Sequence, residues 1–451
     1  MSTATAARVT PDTLWHPAED TLPWGERRER WLAEFDGLLA RLRADEVWRE
    51  RLPAVPIARE DDLMGIPFTT KDDLRSAQAE PIADRPLGRF QLAATEDLRQ
   101  ITSSSGTTGV PVFFGLTEGD RARWNSAIAN AYRTAGVAPG CIVALTTGMP
   151  IVAGGLPYGD GIREAGGALA WIGGQTTSRM AIAMQRTQAN VLVATASFAT
   201  HFAERCAEEL QHPATDLAVR TIIAGGEPGA GVPHIRQGML DAWGATRVSE
   251  FMGLGDVLPA MWAECSVGNG MHFTAASDVM VELIDPVTLE HVQWEPGATG
   301  EAVYTTLTRE ASAIVRFRSR DQMSVVAMDC ACGRTAPTVR CVGRTDDMLI
   351  FKAMNVYPSA IRDIVLDVAS PVLTGTMRIR KDSAEQVRFD DPIPLELEVR
   401  DDVEPGAAEV LVHRAAEEVR EQLRVRIAPE LLPVGRIPVS DYKNALAYVA
   451  D

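Results

Sequence analysis

Short apolar runs recur through the middle of the chain: Cys141-Ile142-Val143-Ala144-Leu145, Ala168-Leu169-Ala170-Trp171-Ile172, Val191-Leu192-Val193-Ala194 and Ile222-Ile223-Ala224. Each is too brief for a buried helix and apolar at successive positions, as a strand covered on two faces requires. Between them lie helix-like stretches, among them Arg179–Gln188 and, upstream, Thr117–Ala135 with Thr117 as its N-cap. Strands alternating with helices predict an α/β fold, its sheets covered by helices. Glu26–Arg51 reads as one helix, from Trp31, Leu32, Phe35, Leu38, Leu39 and Leu42 at three- and four-residue spacing. A glycine-rich passage runs from Gly148 to Gly167. Near Gly343 the pattern changes to a smaller α+β segment. The expected division is therefore a large domain over 1–343 and a small one over 344–451, joined at Arg344-Thr345-Asp346.

A length of 451 residues is ample for two domains and a large core. The net charge of −17 argues against nucleic acid or an anionic membrane as partner, because both require basic surface. No apolar run reaches membrane-spanning length, and the first residues lack an apolar signal core, so the expectation is a cytoplasmic protein. Six cysteines scattered over this length suit reduced thiols or a metal site better than a disulfide framework. The oligomeric state is left open, a homodimer among the options.

The chemistry centres on Thr102-Ser103-Ser104-Ser105-Gly106-Thr107-Thr108-Gly109-Val110-Pro111. Six of its first seven residues carry hydroxyls, and extended segments flank it. Gly106 and Gly109 permit positive φ and close backbone approach, and successive N–H groups in such a turn form a cradle for phosphate oxygens. No Gly-Lys-Ser/Thr follows, so it is not a Walker loop, and alone it would also suit a flexible linker. Further along, Gly225-Gly226-Glu227-Pro228 ends an apolar strand, where ligands collect in open α/β sheets. Asp256 closes Glu250-Phe251-Met252-Gly253-Leu254-Gly255-Asp256, and a carboxylate suits a hard cation such as Mg²⁺. Asp321 follows the strand-like Arg316-Phe317-Arg318 and could accept both hydroxyls of a ribose. Cys265, His272, Cys330 and Cys332 form a ligand set suited to tetrahedral zinc; Cys341 could replace one of them, and buried unliganded thiols are the alternative.

Ser104-Ser105-Gly106-Thr107-Thr108-Gly109 with Pro111 resembles the phosphate-binding signature of the adenylate-forming ligases. Pro67-Phe68-Thr69-Thr70-Lys71-Asp72-Asp73-Leu74-Arg75 is similar to a segment of their phenylacetate–CoA ligase branch, and the likeness runs from about Leu22 to about Lys443. Two departures stand out: Val110 occupies a position where many relatives carry Lys, and Tyr442 replaces a Gly beside Lys443. The resemblance implies ATP and Mg²⁺ as cofactors, with Ser104 to Gly109 on the phosphates, Gly226, Glu227 and Pro228 at the adenine, and Asp256 on the metal. It places Asp321 on the ribose, Arg344 on the nucleotide, and Lys443 as a catalytic cation carried by a mobile C-terminal domain that hinges at Asp346. Tyr132, Trp171, Phe198 and Gly253 would line the pocket for a carboxylic acid, and the Cys330-to-Arg334 context is similar to that of zinc-bearing members. The implied reaction makes an acyl-adenylate from an aromatic acid and passes the acyl group to coenzyme A. Capture by an amine, giving an amide, is the alternative, and an ATP-sensing module without catalysis ranks third.

Overall fold

In the computed structural model, residues 14–52, 57–79, 84–104, 111–148, 150–227, 229–345, 349–352, 354–383, 386–438 and 446–449 are described. Ser105, Gly106, Thr107, Thr108, Gly109, Pro228, Asp346 and Lys443 therefore lie outside the described residues. The chain divides into two compact units, one of 1–231, 235–319 and 323–340, the other of 232–234, 320–322 and 341–451.

The first unit opens with the amphipathic helix Trp24–Leu42, which buries Trp31, Phe35, Leu38 and Leu39. The single helix expected over Glu26–Arg51 is in fact two. The backbone breaks at Asp45, whose carboxylate accepts from the N–H groups of Val47 and Trp48 and so starts a second helix, Glu46–Arg51. An Asp satisfies a helix's free amide groups better at its cap than in its interior. A further helix, Lys71–Ala79, begins where Thr70 and Asp73 exchange side-chain and backbone hydrogen bonds.

Strands β1 (Gln100–Ser103) and β2 (Phe113–Leu116) form an antiparallel hairpin with Ser103 opposite Phe113. The two strands expected around the hydroxyl-rich turn are thus present. Helix Glu118–Thr134 follows, capped by Thr117 as expected.

The large sheet takes in β3 (Ile142–Leu145), β4 (Ala168–Trp171), β5 (Val191–Ala194), β6 (Thr221–Gly225), β7 (Arg247–Leu254), β8 (Leu258–Glu264), β9 (Met271–Phe273), β10 (Val279–Ile284), β11 (Thr299–Thr306), β12 (Phe317–Ala327) and β13 (Thr338–Arg344). Its order is β10-β11-β12-β13-β9-β8-β7-β6-β5-β3-β4. From β4 through β7 neighbours are parallel, and β7, β8 and β9 turn antiparallel. The parallel half packs on one apolar cluster. There Met180, Met184, Phe202, Ile222, Met239 and Trp243 make one core cluster between helices Thr177–Thr187, Ala196–Leu210 and Pro233–Trp243 and the strands.

The glycine-rich passage at 148–167 contains a helix, Leu156–Glu164. A Cβ at Gly161 would sit 2.3 Å from Ile128 Cγ2, so the glycine lets this helix lie against Glu118–Thr134. Close packing overrides the cost of helical glycine here.

The second unit holds β14 (Leu349–Phe351), β15 (Met354–Val356), β16 (Leu373–Lys381), β17 (Arg388–Phe389), β18 (Ile393–Val399), β19 (Ile427–Pro433) and β20 (Ala447–Val449). Its four-stranded sheet runs β19-β18-β16-β20, with helices Pro358–Ala369 and Pro405–Leu423. Among the described residues no helix is long and apolar enough to cross a membrane.

Candidate active site

The base of the hydroxyl-rich turn is rigid. Ser104 N–H donates to Val112 O at 3.0 Å, Val112 N–H donates to Ser104 Oγ at 3.2 Å, and Ser103 is tied through its N–H and C=O to Ile151 and Ala153. Asp256 is brought to this base by Gly255, where an added Cβ would meet Ser104 Cα at 3.1 Å. The Asp256 carboxylate forms an ion pair with Lys71, and Lys71 Nζ also donates to Ser104 Oγ at 2.8 Å. Lys71, Ser104 and Asp256, far apart in sequence, therefore share one site.

Lys71 is the site residue the sequence reading missed. It enters that reading only as part of the Pro67–Arg75 segment. The available signal was its place at the first position of a helix, where the macrodipole disfavours a cation.

Glu227 follows β6 and directs Oε1 at the Ser197 N–H, 2.6 Å away, at the start of helix Ala196–Leu210. Gly226 has φ +87°, a conformation that favours glycine. In β7, a Cβ at Gly253 would lie 2.1 Å from Pro259 O, so the β7–β8 pair closes tightly at this point. Tyr158 donates to that same Pro259 oxygen at 2.9 Å.

Tyr132 is fully buried. It stacks on Phe251 at 4.9 Å and meets Tyr158 edge-on at 5.9 Å. Its hydroxyl has no partner among the described residues, and burial holds its pKa well above the ordinary phenol value. Trp171 donates from Nε1 to Thr147 O at 2.8 Å. Phe198 sits in the first turn of a helix and stacks on Phe202 at 5.4 Å. Tyr132 and Gly253 thus border one aromatic cluster, whereas Phe198 packs through Phe202 on the core cluster.

An ion-pair cluster joins β7 to β8. Glu250 accepts from Arg340 Nη1 at 2.9 Å, while Glu264 pairs with both Arg340 and Arg236. Burial, reinforced by Glu264 and opposed by Arg340, pushes the Glu250 carboxyl up to about 7.

In the second unit Arg344 Nη1 lies 3.3 Å from Asp321 Oδ1. Asp321 was expected after a strand; it is buried inside β12. The charge-rich register Arg316-Phe317-Arg318 hid the strand's length, because its outward positions are Arg318 and Arg320.

The four proposed metal ligands come together. Cys265 and His272 flank the β8–β9 connection, and β13 pairs with β9 with Thr338 opposite His272, which brings in the preceding 330–332 turn. Their ligand atoms all lie within 4.8 Å of one another. Cys265 Sγ is 3.7 Å from Cys330 Sγ, and Cys332 Sγ is 3.4 Å from His272 Nε2. His272 Nδ1 faces Ala336 O at 3.0 Å, which turns Nε2 toward the thiols. Cys341 stands outside this set, its thiol directed at Gly343 O.

No family model matches the chain. The phenylacetate–coenzyme A ligase of Thermus thermophilus is 30% identical over 395 residues, covering 84% of this chain and 85% of that protein. That of Pseudomonas putida is 30% identical over 312 residues, covering 68% of this chain and 67% of its own. Among solved structures, 2-hydroxyisobutyryl-CoA ligase in the postadenylation state, in complex with R3-HIB-AMP, aligns with a TM-score of 0.85 and 24% identity, over 96% of this chain and 92% of that one. With identity sustained over most of both chains and a shared fold, the protein belongs to the phenylacetate–coenzyme A ligase family of adenylate-forming ligases.

Proposed function

We propose that the protein uses ATP to convert a carboxylic acid into an acyl-adenylate and then transfers the acyl group to coenzyme A. A carboxylate oxygen attacks the α-phosphorus and pyrophosphate leaves; the thiolate of coenzyme A then attacks the acyl carbon and AMP leaves. The observation that carries this reading is the meeting of Lys71, Ser104 and Asp256 at the foot of the Ser/Thr/Gly turn, in a chain of this family. Ser104 to Gly109 cradle the phosphates. Lys71 supplies positive charge beside Ser104, at the foot of the turn. Gly226, Glu227 and Pro228 bound the adenine, Asp321 takes the ribose diol, and Arg344 orients the nucleotide. Lys443 acts as the cation of the adenylation step. Tyr132, Trp171, Phe198 and Gly253 hold the body of the acid, which we assign as aromatic; the naming of both relatives as phenylacetate–coenzyme A ligases supports this.

Asp256 fits a Mg²⁺ site of the single-carboxylate kind, completed by phosphate and water. Bound there, Mg²⁺ would neutralise charge on the phosphates. Cys265, His272, Cys330 and Cys332 fit structural zinc in donor type, number and spacing.

The test is a product screen. The protein is incubated with ATP, Mg²⁺ and a panel of aromatic and aliphatic acids, with and without coenzyme A, and products are read by mass spectrometry. An acyl-CoA and AMP with at least one aromatic acid are expected. No AMP with any acid would defeat the reading, and amide products formed from added amines without thioester would reassign the acceptor. Lys443→Ala should slow adenylation by roughly two to three powers of ten, while chemically made acyl-adenylate still reacts with coenzyme A. Equal loss in both half-reactions would remove Lys443 from this role.

A further inference from the structure

Arg27, Arg309, Arg316 and Arg334 are buried almost completely in the first unit, and Arg316 and Arg309 are used differently. Arg316 saturates its guanidinium: Nε and Nη2 bind Glu282, and Nη1 donates to the carbonyls of Leu63 and Ile66 at 2.6 and 2.9 Å. That is how a structural arginine is satisfied. Arg309, 3% exposed, makes one side-chain hydrogen bond among the described residues, from Nη1 to the backbone carbonyl of Asp256 at 2.7 Å. Its Nε and Nη2 have no partner there. The guanidinium lies 4.8 Å from the ring centre of Phe114, in β2 of the hairpin, and 5.3 Å from that of Trp124, in the helix after it.

The backbone that carries Arg309 is held firmly. Asp120, in the first turn of helix Glu118–Thr134, accepts from the N–H of Glu310 at 2.7 Å and of Ala311 at 2.9 Å. Arg41 donates to the carbonyl of Arg309 at 2.9 Å. A continuous set of contacts therefore runs from the helix start through 309–311 to Asp256, with the hairpin ring of Phe114 against the same guanidinium.

We infer that Arg309 is a positioning residue for adenylation, fixing the backbone of Asp256 relative to the phosphate-turn hairpin. This rests on the proposed role of Asp256 as the metal-binding carboxylate. The aspartate arm is short, so a small backbone shift moves its oxygens out of reach of a metal at fixed distance from the phosphates.

The test measures Mn²⁺ binding to the protein–ATP complex by electron paramagnetic resonance, without acid, so that no turnover occurs. Arg309→Met should weaken Mn²⁺ binding about tenfold, the low end of what outer-sphere partners of a metal ligand are worth. Binding of ATP in EDTA should not change, and Arg309→Lys should recover part of the loss. Phe114→Leu, which loosens the guanidinium without removing it, should give a smaller shift in the same direction and covers the case in which the Met variant does not fold. Asp256→Asn tests the underlying assignment separately. If Asp256→Asn leaves Mn²⁺ binding intact, the metal role of Asp256 fails. Suppose instead that it weakens binding, but the Arg309→Met and Phe114→Leu variants bind Mn²⁺ as wild type does, with only a lower melting temperature. Arg309 is then a packing residue and the inference is overturned.

Discussion

Two polar centres of the first unit are completed to different degrees. At the foot of the hairpin, the Asp256 carboxylate already has a counter-charge in Lys71, which in turn has the Ser104 hydroxyl. At the Cys265 centre, two thiols stand 3.7 Å apart and a third faces an imidazole, so the polar atoms gather chiefly on one another. Thiolates at that separation repel unless a cation sits among them. A centre balanced by its own side chains can release and retake a ligand in every catalytic cycle. One built of convergent thiols and an imidazole has the donor set of a resident, structural ion.

The contrast breaks most visibly if the metal is removed. Elemental analysis should show about one zinc per chain, as a single four-ligand site requires. Cys332→Ser should strip it and markedly lower the melting temperature, because structural zinc is worth about 10–16 kcal/mol in small zinc domains. Below the new melting point, ATP binding should persist. Protein that contains no metal, or a variant that melts like wild type, would remove the distinction.

At the other centre, Lys71→Met should slow pyrophosphate release by roughly two to three powers of ten, the scale of one charged donor in a sheltered site, with Lys71→Arg in between and zinc content unchanged. Unaltered kinetics would make the Lys71–Asp256 pair a surface ion pair and no more. Next in size is Asp321→Ala, which should weaken ATP binding by about 1.5–3 kcal/mol, read as a raised Michaelis constant for ATP. If neither that constant nor turnover moves, Asp321 does not hold the ribose.

The smallest effect belongs to Glu250, on the strand that leads to Asp256, in the cluster it shares with Glu264, the neighbour of Cys265. With its carboxyl at about 7 in the folded protein against an ordinary 4.5, it gains a proton on folding between those values. Its contribution to stability is therefore greatest below about pH 4.5 and is lost as the pH rises through 7, by no more than about 1.4 kcal/mol per pH unit. Glu250→Gln should flatten the melting temperature between pH 5 and 8. A slope as steep as wild type would assign the pH dependence elsewhere.

These two centres were also unequally visible before folding. Runs such as Val191–Ala194 declared themselves because a strand buried on both faces has no polar position to confuse the pattern. The Cys and His ligands could be grouped because few residue types bind zinc, although only the β9–β13 pairing explains why 272 meets 332. Lys71 gave little sign, since nothing in the order of residues tells that it faces Asp256, 185 positions later. Helix Leu156–Glu164 was hidden for a related reason: Gly161 is a poor helix former in isolation and is required only once Ile128 lies against it. Asp45 and Asp321 show the same limit, an N-cap read as helix interior and a strand residue read as a strand end.

Thr69 bridges to Phe317: its hydroxyl donates to Val315 O at 2.7 Å, its N–H to Arg316 O at 3.0 Å, and its carbonyl accepts from Arg318 at 2.9 Å. Val315 lies 246 positions further along the chain. A ribosome adding roughly 5–20 residues per second needs roughly ten to fifty seconds to make that partner. Phe68, which ends beneath the Arg316 guanidinium at 4.1 Å, waits the same interval for that partner. Lys71, two positions beyond Thr69, likewise precedes the Asp256 it pairs with by 185 positions, so its ion pair also waits on distant chain.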